Sequence, residues 1–148
     1  MRVAVGADHK GVEVKEKVKQ ILVSLGHEVT DFGTDGTESV DYPDFGLKVA
    51  HAVADHTVDR GINICWTGNG MNMAANKVKG VRSGLVIEPE MAYLTRRHND
   101  ANVMSLAAKY SQLDKLDEIV RLFLETEFEG GRHVARLDKI KAAEREGC

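Results

Sequence analysis

Cys65 ends a short apolar run, Gly61-Ile62-Asn63-Ile64, and is followed at once by Trp66-Thr67-Gly68-Asn69-Gly70-Met71-Asn72. That order predicts a strand giving way to a helix through a glycine-bearing turn. A helix starting there aims unpaired backbone N–H groups and the positive end of its dipole at whatever lies beyond the strand. Such a nest favours a thiolate, the form of cysteine that works as nucleophile or base. Free cysteine is also among the most buried residue types and often only fills space, so that plainer reading stands beside the first. Two glycines and a hydroxyl directly after Cys65 favour a site, because a space-filling residue needs none of them.

Two other polar groups are placed to act with the thiol: Asp8-His9, after the apolar Val3 to Gly6, and His98-Asn99-Asp100. Imidazole titrates near neutrality and is the commonest acid or base once it sits in a site, although a lone histidine is more often structural. A base able to take a proton from carbon, an acid–base pair, and N–H groups able to hold an oxyanion are the parts for moving a proton α to a carbonyl.

These residues need a scaffold, and the pattern supplies one. Val3–Gly6 reads as a strand, followed by a helix with Val14, Val18, Ile21, Leu22 and Leu25 at helical spacing, stopped by Gly26. His27–Phe32 is a second strand, 33–44 a polar loop, and Phe45–Ala54 a helix. Gly61–Cys65 is the third strand, leading into a helix over 70–77. Arg82–Ile87 is a fourth strand, Pro89–His98 a helix and Asn102–Leu106 a fifth strand. Leu113–Glu125 carries a strong apolar face, and a last, highly charged helix follows Gly130-Gly131. Alternating strands and helices predict a single α/β domain over 1–148, with a five-stranded parallel sheet covered on both faces. Asp8 and Cys65 then share one rim. His98 reaches that rim only if its helix ends there, or if a second subunit supplies it.

Composition narrows the function. The 148 residues are 43% hydrophobic with two prolines, which excludes a disordered chain. With 20 basic and 23 acidic side chains, formally −3, there is no basic field to bind nucleic acid. No apolar run is long enough to span a membrane, and Met1 leads into Arg-Val-Ala-Val with no leader-like segment, so the expected compartment is the cytoplasm. Cys65 and Cys148 form no disulfide framework and lack metal-ligand spacing; no metal and no cofactor is expected.

In order along nearly the whole chain stand Gly6-Ala7-Asp8-His9, Asp31-Phe32-Gly33-Thr34, Ser39-Val40-Asp41-Tyr42-Pro43-Asp44, Asp59-Arg60-Gly61-Ile62, Cys65 with Thr67-Gly68, Ala74-Ala75-Asn76-Lys77, His98-Asn99-Asp100-Ala101-Asn102-Val103 and Glu127-Phe128-Glu129-Gly130-Gly131-Arg132-His133. This set resembles the type B ribose-5-phosphate isomerases, a family that includes galactose-6-phosphate and allose-6-phosphate isomerases. The resemblance implies a five-stranded Rossmann-like αβα sandwich; the C-terminal helix, too charged to be wholly core, is either a solvated tail or, as expected here, packed on a partner subunit. The expected unit is a homodimer with shared active sites, or a tetramer built from it, acting on a sugar phosphate. It also implies roles. Cys65 shuttles a proton between C1 and C2 of the open-chain sugar, and Thr67 helps at the same atoms. The turn Gly68, Asn69, Gly70, Met71 and Asn72 holds the cis-enediolate. His98, with Asp8, opens the ring, Tyr42 and Asn99 orient hydroxyls, and His9, Arg132 and Arg136 take the phosphate.

The chain departs from the family pattern at Trp66, where a glycine is usual, at Asn69 and Asn72, which replace an aliphatic residue and a serine, and at Ala107-Ala108-Lys109, which replaces Gly-Gly-Arg. These bear on which sugar phosphate is taken: ribose 5-phosphate first, with allose 6-phosphate, galactose 6-phosphate or a tetrose phosphate as alternatives. A non-catalytic partner subunit is a second reading, weakened by the presence of Cys65, Thr67, His98, Asn99 and Arg132. A nucleotide-binding module is a third, weakened by the missing G-x-G-x-x-G. Activity of the purified chain alone, against stabilisation by nucleotide, separates the three.

Overall fold

A computed structural model of the chain describes residues 1–147; Cys148, the second cysteine of the sequence, lies outside them. Strands β1 (Arg2–Ala7), β2 (Glu28–Asp31), β3 (Arg60–Cys65), β4 (Ser83–Val86) and β5 (Val103–Ala107) form one parallel sheet in the order β2-β1-β3-β5-β4. β3 and β5 carry apolar or small residues almost without a break and are buried from Gly61 and Val103 onward, as parallel strands covered on both faces are. Ala7 pairs with Ile64, and Cys65 with Ala107, so the ends of β1, β3 and β5 are level.

Side chains alternate across the sheet. Val3, Val5 and Ala7 join one core with Val14, Val18 and Leu22 of α1 (Val12–Ser24), Ala92 of α4 (Pro89–Asn99), and Ile119 and Phe123 of α5 (Leu116–Glu125). Ala4 joins the other with Val49 and Val53 of α2 (Tyr42–Ala54) and Ala75 of α3 (Asn69–Ala75). Each large aliphatic or aromatic side chain so buried stabilises the fold by about 1.5–3 kcal/mol. A last helix, α6 (Arg132–Glu146), touches α4 and buries only His133 and Leu137. Val134 and Ile140 on it stay exposed.

Element order and type agree with the sequence pattern, and the differences lie at ends. α2 begins at Tyr42, not Phe45, because Asp41 takes the extended cap conformation and Pro43 falls in the first turn, where its fixed φ and missing N–H suit a helix start. The stretch from Leu113 opens with a 3-10 turn, Leu113–Lys115, before α5 proper.

One inward position of α1 is a lysine. Lys15 is fully buried, and its Nζ lies 2.9 Å from Asp31 Oδ1 and 2.6 Å from Asp35 Oδ1. A buried ammonium is tolerated only when paired in this way, and here the pairing ties the start of the 32–41 loop to α1. That loop ends beside the polar residues following β1.

At the N-terminal edge, Arg2 forks onto Asp59, with Nη2 2.8 Å from Oδ1 and the Arg2 N–H 2.7 Å from Oδ2. These hydrogen bonds, side chain first, hold the Asp59 carboxyl at about 2 against an ordinary 3.8. A depressed carboxylate stabilises the fold above its unfolded value and ceases to do so as pH falls through the folded one. Asp59→Asn is therefore expected to lower the urea midpoint at pH 5, with the gap to wild type closing between pH 4 and 2. A gap that is constant over that range would show that the ion pair is not its source.

Candidate active site

β1 feeds α1 on one face and β3 feeds α3 on the other, so a crevice opens between their carboxyl ends, the usual ligand position in an open α/β sheet. The two ends are tied together. The Asp8 N–H donates to Ile64 O at 3.1 Å, and Gly11 lies so close that a Cβ there would sit 2.7 Å from the same oxygen. Asp8 is buried, and its Oδ1 accepts the N–H groups of Lys10 and Gly11 at 2.9 and 3.1 Å. His9 is half-buried, and its Nδ1 accepts the Val40 N–H at 3.2 Å. That contact requires a bare Nδ1, so the ring proton sits on Nε2, which is left to donate to an anion.

Cys65 is 4% exposed at the end of β3. The chain then turns through Gly68, whose φ of 77° caps α3; a side chain there would be strained and would meet Leu85 and the backbone of Leu106 and Ala107. Asn69, Gly70 and Met71 form the first turn of α3, where N–H groups have no acceptor within the helix. Gly70 is open for a different reason. The Tyr42 ring lies across it, and a Cβ there would be 2.7 Å from Tyr42 Cζ. Trp66 is 46% exposed and stands between two ammonium groups, Lys10 Nζ at 5.5 Å and Lys109 Nζ at 5.9 Å from its ring centre. Asp8, His9, Cys65, Thr67 and the 68–72 turn thus share one rim, as the sequence leads one to expect, and Tyr42 joins them through its contact with Gly70.

His98 does not join them. α4 runs back from the end of β4, so its C-terminal end lies at the opposite rim: Arg82, just before β4, donates to the carbonyls of Asn99 and Asp100 at 3.0 and 2.8 Å. From Gly61, opposite Val103, to Cys65 the sheet alone spans four residue steps, roughly 13 Å. The condition that His98 reach the Cys65 rim within one chain fails, because the helix carrying it ends at the other edge. Arg132 and Arg136 lie with His98, since His133 of the same helix turn stacks on the His98 ring. A cavity of about 420 Å³ between α6 and β4 includes Asn99 and Leu137 but none of Asp8, His9, Cys65 or Thr67.

The second rim also holds two residues with no role assigned from sequence. Glu129 Oε2 lies 3.0 Å from His133 Nε2 and 4.0 Å from His98 Nε2, and Arg97 reaches Oε1 at 3.4 Å. Partial desolvation opposes the charge on Glu129, but Arg97, then His133 and His98, outweigh it and hold the carboxyl below its ordinary value. Linear spacing shows no metal-ligand set, yet the fold gathers donor atoms of His98, Glu129 and His133 within 4.8 Å of one another. Glu129 precedes the helix, so no helical period announces its meeting with His133; a histidine on the inward side of a charged helix is the one signal available.

Among the described residues no helix is long and apolar enough to cross a membrane. The Ribose/Galactose Isomerase family pattern matches residues 3–140, and the chain belongs to that family. It is 43% identical over 143 residues to ribose-5-phosphate isomerase B of Escherichia coli, covering 97% of this chain and 96% of that one. The structure of Clostridium thermocellum ribose-5-phosphate isomerase B superposes with a TM-score of 0.97 at 47% identity, with both chains fully covered. That of the Mycoplasma genitalium enzyme with bound ribulose 5-phosphate gives 0.94 at 40% identity, covering 98% of this chain and 97% of that one.

Proposed function

We propose that the chain is an aldose–ketose isomerase that interconverts ribose 5-phosphate and ribulose 5-phosphate through a cis-enediolate, in active sites shared between two copies. The observation that carries the shared site is the separation of the two polar groups onto opposite rims of one sheet. A two-fold dimer contact that sets one chain's Cys65 rim against its partner's His98 rim does so twice, giving two equivalent pockets. The exposed Val134 and Ile140 of α6 suit such an interface.

In each pocket His98 takes the proton from the anomeric hydroxyl and returns one to the ring oxygen, with the Asp8 carboxylate beside it; the C1 aldehyde is freed. The Cys65 thiolate then removes the proton from C2. The electron pair of that C–H bond becomes the C1–C2 double bond, and the carbonyl electrons move onto O1. The N–H groups of Asn69, Gly70 and Met71 in the 68–72 turn hold this oxyanion, an interaction worth about 3–4 kcal/mol per well-aimed donor. Thr67 relays the hydroxyl proton from O2 to O1, and Cys65 delivers its proton to C1 as the C2 carbonyl forms. Tyr42 and the partner's copy of Asn99 orient hydroxyls. The phosphate is gripped from both sides, by the Nε2–H of His9 and by the guanidiniums of Arg132 and Arg136.

A panel of ribose 5-phosphate, allose 6-phosphate, galactose 6-phosphate and erythrose 4-phosphate tests the assignment on the purified chain. The highest kcat/KM is expected with ribose 5-phosphate. A preference for a hexose phosphate would move the substrate while leaving the chemistry, and no isomerisation of any of the four would leave the chain a non-catalytic subunit.

A further inference from the structure

We infer that His133 is a positioning residue for His98, an assignment that rests on His98 handling the ring-opening proton. The His98 side chain is 37% exposed in the last turn of α4, where an imidazole with no partner would turn about its two side-chain torsions and sample several rotamers. The His133 ring takes that freedom away. Its side chain is 5% exposed, and its plane lies against that of His98 with centroids 4.4 Å apart and 15° between planes. A flat partner of this kind fixes the plane in which His98 presents its nitrogens while leaving both of them unbound.

His133 is itself held. Its Nε2 meets Glu129 Oε2 at 3.0 Å, and because Glu129 is a carboxylate that can only accept, the proton of that bond belongs to His133. Glu129 in turn is anchored to α4: its N–H donates to Arg97 O at 3.0 Å, and its carboxylate takes the Arg97 guanidinium. The chain of contacts therefore runs from Arg97 through Glu129 and His133 back to His98, the residue after Arg97. Oε2 also lies 4.0 Å from His98 Nε2, too far for a hydrogen bond that would occupy the nitrogen. It is near enough to favour the positive charge that His98 gains halfway through its transfer. A base oriented by a neighbour that is itself oriented by a carboxylate is a recurrent arrangement in acid–base sites.

The test compares His133→Leu, which keeps apolar bulk but loses the flat ring, with His133→Phe, which keeps the ring. Each is assayed on ribose 5-phosphate and on erythrose 4-phosphate, whose phosphorylated O4 cannot close a five-membered ring and so needs no opening. Loss of orientation is expected to lower kcat of His133→Leu on ribose 5-phosphate by roughly ten- to a hundredfold, with KM little changed, and to spare erythrose 4-phosphate. His133→Phe should regain most of that loss. In proton NMR the ring-current shift of the His98 carbon-bound protons should vanish in His133→Leu and persist in His133→Phe. Equal losses on both substrates, or no loss, in a His133→Leu protein of native circular dichroism would overturn the inference. If His133→Leu does not fold, His133→Phe decides alone: near wild-type rates with the ring-current shift kept support it, and a tenfold loss on both substrates rejects it. A substrate split in His98→Asn without one in the His133 variants would remove the positioning role and leave the ring-opening assignment standing.

Discussion

Cys65→Ala is expected to all but abolish isomerisation of ribose 5-phosphate, lowering kcat by about three orders of magnitude, the middle of the range a well-placed base supplies. A methyl group cannot accept the C2 proton. Substrate binding should survive, because the phosphate grip and the 68–72 turn do not depend on the thiol; the mutant should bind ribose 5-phosphate with a Kd near the wild-type value. The fold should survive as well. Cys65 is a small residue at the sheet rim, and trading its sulfur for nothing leaves a void no larger than a methyl group, a cost of about 1 kcal/mol. Near wild-type turnover in a correctly folded Cys65→Ala protein would dispose of the thiol base and make the Asp8 carboxylate of the same rim the next group to test.

The second large effect concerns His98. His98→Asn keeps a polar side chain of similar reach but cannot cycle a proton, so turnover of ribose 5-phosphate should fall by roughly a hundredfold or more. Erythrose 4-phosphate, which enters as the open chain, should lose far less. The ratio of the two kcat/KM values carries the information, since an effect on folding or on dimer formation lowers both alike. Equal losses would move His98 from ring opening to the enediolate step or to structure.

The regular parts of the molecule were readable from sequence because burial imposes them locally. The apolar runs ending at Ala7, Cys65 and Ala107, each broken by polar or glycine residues, are what a parallel strand covered on both faces requires. The Cys65 rim followed from them, since residues just past parallel strands must share an edge. Lys15 is not legible in this way. At an inward position of α1 a lysine reads as a solvated side chain, and only the fold reveals Asp31 and Asp35 within reach. His133 and Glu129 escaped for the same reason: their partners, Arg97 and His98, lie about 30 positions away, and the contact depends on how α6 crosses α4. The position of His98 was open in sequence and is closed by topology, because a helix that follows β4 and precedes β5 must end at the rim where β5 begins.

That topology makes the shared site directly measurable. Cys65→Ala and His98→Asn chains, each inactive or nearly so alone, can be mixed and allowed to exchange subunits, with heterodimer formation verified by native mass spectrometry. In a two-fold dimer each heterodimer holds one pocket lacking both groups and one pocket with both intact, so a random equimolar mixture should regain about a quarter of wild-type activity on ribose 5-phosphate. A mixture with verified heterodimers that stays as inactive as its parents would show that Cys65 and His98 do not meet across the dimer, and the two-chain pocket would have to be given up.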